Sequence, residues 1–356
     1  MKIVFFTRYS NLAASTRYRF SQYFSIFEKY GYSCQHKPLL PDEYLINFNS
    51  DVNYSLIKLI ICYIRRIMHI FSVKKNSIIF IHSELLPYLP ETGLYYWFKL
   101  RNVSVIVDYD DAIYHTYQTH YNKFVRYVFK DKIKGVAKKS ECVITGSPYL
   151  TNYFKQFHKK VVEIPTSIDL DLYPIPGYIN PPNNFIVGWI GSKSTSEYLL
   201  SIIEPLDRFS KKYSINIHLI GFDKKMSYLL PSEYFRIMDW HIGCDFDLLM
   251  PISVGIMPLT DGLFEKGKCG FKLIQYMACG KPFIASPFEA NLKIDHNRQN
   301  LFATTSEEWF NALETVYHNQ YYFSTVGING RKVVEDYYSL QANNSSYLKI
   351  FNSLSQ

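Results

Sequence analysis

Cysteine is scarce and scattered in this chain. Its 356 residues include six, Cys34, Cys62, Cys142, Cys244, Cys269 and Cys279, and no two stand as C-x-x-C. That spacing argues against a zinc site or a disulfide scaffold and fits a reducing cytosol. Long apolar runs are also missing. The longest apolar region, residues 56–73, is broken by Lys58, Arg65, Arg66 and His69, whereas a spanning helix needs about 20 mostly apolar residues. No membrane span is expected. The opening MKIVFFTRYS has too short an apolar run for a signal peptide. Repeats and low-complexity tails are lacking as well.

Aromatic residues, by contrast, are abundant: 31 Tyr and 26 Phe, in a chain that is 47% hydrophobic. A full core is available and global disorder is excluded. The length suits one large or two medium domains. Charge is uneven. Residues 1–175 hold 23 Lys and Arg against 14 Asp and Glu, and the remainder 16 against 17, so the whole +8 excess lies in the first half. An anionic partner is expected there: a membrane surface, a lipid phosphate or nucleic acid. No recognition motif accompanies the charge, so nucleic acid is the least expected of the three.

Short apolar runs alternate with helix-period segments. Strands are expected at residues 2–7, 77–81, 103–107, 142–145 and 161–164. Helices are expected at 16–30, 56–72, 91–100, 121–139 and 149–157. Residues 174–184, PIPGYINPPNN, read as a linker. A second series follows: strands at 185–190, 216–220, 254–258 and 282–285, with helices at 195–212, near 246–250, at 267–280, 306–318, 321–337 and 342–354. Strand–helix alternation predicts α/β class with a doubly wound parallel sheet. The expected divisions are 1–175, 176–338 and a terminal segment 339–356. The 56–72 helix should pack through Leu59, Ile60, Tyr63, Ile67 and Ile70, and the 121–139 helix through Phe124, Val125, Val128 and Val136. Both carry enough Lys and Arg either to lie on anionic headgroups or to form a solvated face.

The most informative stretch is Gly267–Ser286, GKCGFKLIQYMACGKPFIAS. It reads as an amphipathic helix, a glycine stop and a short buried strand. Lys268 and Lys272 are four apart and should share a helix face. Two cations there suit a phosphorylated ligand; the plain alternative is a solvated lysine face. The turn Gly191-Ser192-Lys193-Ser194-Thr195-Ser196-Glu197 follows a strand. Ser194 with Glu197 fits a capping box, and glycine plus free N–H groups make an anion site, or an ordinary strand-to-helix turn. Asp245-Phe-Asp247 has D-x-D spacing, but at a helix start it reads as a cap. Trp240 reads as core. In the first half, VIVDYDDA runs a buried strand into Asp108, Asp110 and Asp111, at the strand's carboxyl end, where α/β ligands bind. Asp110 is positioned to orient or deprotonate a hydroxyl, or it caps a helix. Nearby His115 reads as structural. Ser15, Arg17 and Arg19 sit at a loop-to-helix junction suited to an anion, with Arg17 expected to face the ligand. Glu84, in HSELLP, is another candidate at a strand end.

The 267–286 stretch resembles the donor-site motif of family 4 glycosyltransferases, in a branch found in bacterial surface-polysaccharide synthesis. Gly267 and Gln275 stand where the family commonly has a pair of glutamates. The phrases VGWIGSKSTSEYL, D-x-D-D-A and S-x-R-x-R resemble the same branch. The resemblance implies a GT-B fold: two Rossmann-like domains with a cleft between them, the terminal helix crossing back to the first. It implies transfer of a sugar from a nucleotide diphosphate sugar to an acceptor hydroxyl, with retention and without a metal or other cofactor. The implied donor residues are Gly191, Ser192, Lys193, Ser194, Thr195, Gly221, Phe222 and Gln275. Asp110, Lys268 and Lys272 would be catalytic, with Ser15, Arg17, Glu84 and Asp111 on the acceptor side. A lipid-linked glycan acceptor and a cytoplasmic place on the inner membrane face are then expected. A nucleotide-sugar epimerase and a non-catalytic glycan- or nucleotide-binding protein are the competing readings.

Overall fold

The structure, a computed structural model, describes residues 1–174 and 184–354. All but the two ends of the expected 174–184 linker therefore lie outside the described residues.

The chain opens with β1 (Lys2–Tyr9), α1 (Ala14–Arg19), α2 (Phe24–Lys29), β2 (Ser33–Leu40), α3 (Asp42–Asn49) and α4 (Leu56–Phe71). Then come β3 (Ile78–His82), α5 (Leu94–Leu100), β4 (Ser104–Tyr109), α6 (Ile113–Gln118), α7 (Lys123–Phe129), α8 (Lys132–Lys139), β5 (Cys142–Thr145), α9 (Pro148–Lys155) and β6 (Val161–Glu163). The strands form one sheet in the order β2-β1-β3-β4-β5-β6, with every pair parallel. The continuous apolar runs of β3 and β5, buried at every position, are what a sheet covered on both faces requires.

A second series contains β7 (Ile186–Ile190), α10 (Ser196–Leu200), α11 (Ile203–Tyr213), β8 (Asn216–Ile220), β9 (Phe235–Met238), α12 (Asp245–Leu249) and β10 (Val254–Met257). It continues with α13 (Leu263–Lys266), α14 (Phe271–Ala278), β11 (Phe283–Ala285), α15 (Glu289–Ile294), β12 (Leu301–Phe302), α16 (Ser306–His318), α17 (Gln320–Val333) and α18 (Leu340–Leu354). Its sheet runs β12-β11-β10-β7-β8-β9, again parallel throughout. The chain divides into two compact units. The first comprises Met1–Thr166, Leu263–Cys269 and Asn343–Gln356, and the second Ser167–Gly262 and Gly270–Ala342. The terminal helix thus returns to the first unit, where Tyr347 and Phe351 lie against Phe27 and Phe80.

Several expectations are corrected. The 16–30 helix is interrupted at Phe20, whose φ of −131° is not helical. The 121–139 helix is two helices, and α7 turns Phe124 and Val128 outward. The cation Lys132 is buried instead. In α4, Ile60 and Ile67 are exposed while Arg66 is buried. The 195–212 helix is divided after Leu200. Strand β2 escaped sequence reading because Pro38 sits within it. It tolerates proline because it is an edge strand, where a missing N–H costs no ladder bond. Most consequential is the 267–280 segment. Helix α14 starts only at Phe271, after Gly270 in a left-handed conformation at φ 65°. A side chain at Gly270 would also meet Ile294 at 2.4 Å. Lys268 therefore lies outside the helix and in the first unit, whereas Lys272 lies on α14 in the second.

Candidate functional sites

In the second unit, the carboxyl ends of β7 and β8 meet through two glycines. Gly221 has φ 72°, and a Cβ on it would fall 2.5 Å from the Gly191 carbonyl oxygen. A Cβ on Gly191 would strike the Trp189 ring at 2.2 Å and Thr195 Oγ1 at 2.8 Å. Only glycine permits this approach of two main chains. Beyond Gly191, Ser192 and Thr195 form the capping box, with Ser192 N donating to Thr195 Oγ1 at 3.0 Å. This replaces the expected Ser194–Glu197 pair, because a 3-10 turn at Lys193–Thr195 precedes α10. Ser194 Oγ lies 3.0 Å from Ser192 Oγ.

The QYMACG phrase secures α14 to the sheet. Tyr276 Oη donates to the Ile256 carbonyl at 2.9 Å and accepts from Ile190 N at 3.1 Å. Its ring fills the space that a side chain at Gly255 would occupy. With the helix so fixed, the Lys272 ammonium lies 4.4 Å from the centre of the Trp189 ring. Trp189 Nε1, buried, finds no acceptor among the described residues. Gln275 is buried and donates to Asp245 Oδ1 at 3.1 Å, and Trp240 Nε1 donates to the same oxygen at 3.0 Å. Asp245 opens α12, the helix-start position expected of it, and its carboxylate is also turned to Gln275, a contact that sequence reading missed. Phe222 is core rather than lining, buried edge-on to Trp189, so only its backbone is available to a ligand.

In the first unit, the carboxyl ends of β3 and β4 bring His82 and the aspartates together. His82 Nε2 and Asp110 Oδ1 are 2.9 Å apart. Burial alone would lower the imidazole pKa, but the Asp110 charge and hydrogen bond more than offset it, and His82 titrates above its ordinary value. Burial opposes Asp110 ionisation too, yet His82 and then Arg19 hold its carboxyl down at about 2. Asp111 is pushed up by burial, partly offset by Lys268, whose ammonium is 3.3 Å from Asp111 Oδ1. Lys268 is kept there by its neighbours. Ser147 Oγ donates to the Gly267 carbonyl at 3.1 Å, and Cys269 Sγ to the Asp110 carbonyl at 2.8 Å. A side chain at Gly146 would fall 2.4 Å from that sulfur.

Other candidates are already engaged. Arg19 is buried in a two-pronged pair with Asp108 and donates to the Ile164 carbonyl at 2.7 Å. Arg17 closes its own loop, donating to the Asn11 and Leu12 carbonyls at 3.0 and 2.7 Å; Ser15 is half-buried in the same turn. Glu84, expected to meet an acceptor, is buried and accepts from Tyr117 Oη at 2.9 Å and Lys132 Nζ at 2.5 Å. His115 is 3.1 Å from Tyr149 Oη and structural. Sequence reading missed His82, whose signal was its place at the end of an apolar strand. Among the described residues, no three His, Cys, Asp or Glu side chains are grouped to hold a metal ion.

No protein-family model matches the chain, and no curated protein matches it in sequence. Solved structures do match in fold. A sucrose-phosphate synthase from Thermosynechococcus elongatus superposes with a TM-score of 0.71 at 14% identity, covering 99% of this chain and 98% of that one. Anabaena HepE in complex with UDP-glucose gives 0.66 at 12% identity, covering 99% of each chain. A glycosyltransferase from Rickettsia africae gives 0.67 at 13%, covering 99% and 98%. At such identities the likeness establishes the fold, which is GT-B: two Rossmann-like α/β domains, each built on a six-stranded parallel sheet.

Proposed function

We propose that the protein is a glycosyltransferase resembling family 4, moving a hexosyl or N-acetylhexosaminyl group from a nucleotide diphosphate sugar to an acceptor hydroxyl. The observation that carries this reading is the approach of Gly191 and Gly221 at the end of the second sheet, with Lys272 on an adjacent helix. Bare main chain, a capping turn and a fixed cation suit a diphosphate. The fold adds support, since HepE has been solved with UDP and with UDP-glucose.

In this reading the donor C1–O bond breaks as the bond to the acceptor oxygen forms. The acceptor proton passes to the leaving diphosphate, which accounts for retention without a carboxylate nucleophile. Lys272 stabilises the charge that develops on the leaving oxygen, with no metal required. Asp245, brought to Gln275, supplies a carboxylate near the place where the resemblance expects a glutamate. Asp110, kept ionised by His82, and Asp111 beside Lys268 serve the acceptor hydroxyl. The acceptor is a lipid-linked glycan of cell-surface polysaccharide synthesis, reached from the cytoplasmic face of an anionic membrane; the basic first half supports that placing.

A thermal-shift panel of UDP, GDP, CMP, dTDP and ADP tests the donor site, because a ligand of the native state raises the melting temperature. One diphosphate should stabilise the wild type and not Lys272→Ala. The same substitution should reduce sugar transfer by about 10²–10³-fold. If no nucleotide shifts the wild type, the donor reading fails. Conversion of the free nucleotide sugar without any acceptor would favour an epimerase instead.

A further inference from the structure

Helix α4 wears its apolar face outward. Ile57 is 71% exposed, Ile61 56%, Ile64 52% and Met68 59%, and Leu56, Ile60, Ile67 and Phe71 are exposed beside them. These positions recur at helical spacing, so they form one continuous stripe along about 24 Å of helix. The inward face holds only Cys62, Arg66 and Ile70 fully buried. Ordinary surface helices present the reverse pattern, and a contiguous exposed apolar stripe marks a surface that something covers.

We propose that α4 docks on the surface of an anionic lipid bilayer, its stripe entering the headgroup–acyl boundary. Charge selects this occupant. Helix α4 contains no acidic residue. Lys58 lies on it, paired at 2.6 Å with Glu43, and Lys74 and Lys75 are exposed just beyond its end. The first unit carries 26 Lys and Arg against 13 Asp and Glu, a balance of +13, while the second stands at −5. A second copy of this chain would bring the same positive unit against itself, because a two-fold contact pairs each patch with its own copy. A bilayer offers apolar depth and negative headgroups together, the combination an in-plane amphipathic helix takes. Among the described residues no helix is long and apolar enough to cross a membrane, so the attachment is superficial. The assignment rests on the anionic-membrane placing proposed above and gives it an element of the fold; it does not depend on the sugar-transfer step.

The test is flotation of the full chain, without nucleotide, on phosphatidylglycerol-containing vesicles and on phosphatidylcholine vesicles. Wild type should float with the anionic vesicles and be released by high salt. Ile61→Asp/Ile64→Asp should reduce the bound fraction about tenfold or more, with an unchanged melting temperature because both positions are exposed. Lys74→Glu/Lys75→Glu should weaken binding to the anionic vesicles. Tyr228→Asp, at an exposed site on the second unit, should bind as wild type does. Wild-type protein that ignores anionic vesicles overturns the proposal, as does an Ile61→Asp/Ile64→Asp variant that still floats. A dimer in light scattering that this variant abolishes, with no flotation of either protein, assigns the stripe to a second copy and overturns it too.

Discussion

His82 and Asp110 hold each other charged, and the consequence can be read in a pH profile. Asp110 is depressed to about 2, so its contribution to stability is present above the ordinary carboxylate range and is lost as pH falls through about 2. His82 is raised, so its contribution is complete below the ordinary imidazole value and is lost as pH rises through its higher folded value. The pair is therefore fully stabilising between about pH 4 and 6.5. His82→Gln should remove the decline on the alkaline side and lower stability at pH 5. Urea melts at several pH values check both. The rest of this site shows why sequence reading stopped short. Asp110 and Asp111 were legible because they follow an apolar strand. That Glu84 is saturated by Lys132 and Tyr117 was not, since those partners arrive from two other helices, α8 and α6.

At the scale of elements, α4 is held by a buried cation with incomplete partners. Arg66 donates to the Thr7 carbonyl and lies 5.0 Å above the Phe6 ring, but its Nε and Nη1 find no acceptor among the described residues. Burial pulls the guanidinium down to about 9. A buried donor without a partner costs about 1–3 kcal/mol. Arg66→Met keeps the length and apolar contact of the side chain and removes that cost. It should raise the urea midpoint by an equivalent of about 1–2 kcal/mol. Equal or lower stability would mean that the guanidinium is satisfied by water. Helix boundaries follow the same logic of partners. The 267–280 pattern read as one helix because Leu273, Ile274, Met277 and Ala278 are correctly spaced. Gly270 breaks it because its backbone turns left-handed, at φ 65°, and Ile294 occupies the space that any side chain there would need.

For the whole molecule, the last residues belong to the first unit. Tyr347 and Phe351 are buried among Tyr23, Phe27, Tyr32 and Phe80. Phe351→Ala should therefore destabilise the first unit by about 3–5 kcal/mol, as large-to-small core substitutions do. Thermal melts followed by near-ultraviolet circular dichroism would show it. A change confined to the last helix would instead indicate that the first unit is complete without it. The charge asymmetry also sharpens at this scale. An excess of +9 over residues 1–175 becomes +13 for the first unit, because Lys266, Lys268 and Lys349 join it with Glu265 while Asp169 and Asp171 fall in the second unit.

The sequence by itself determined the two parallel sheets, the glycine turn after β7, the aspartates after β4 and the basic bias of the first half. Each is written in local runs: strands in apolar stretches, turns in glycine, bias in composition. Tertiary structure alone decided that Lys268 and Lys272 serve different units, that Arg19 belongs to Asp108, that Asp245 turns to Gln275, and that α4 shows its apolar face to the outside. Periodicity defines the faces of a helix but not which face the fold covers, and a charged side chain reveals its role only when partners distant in sequence reach it.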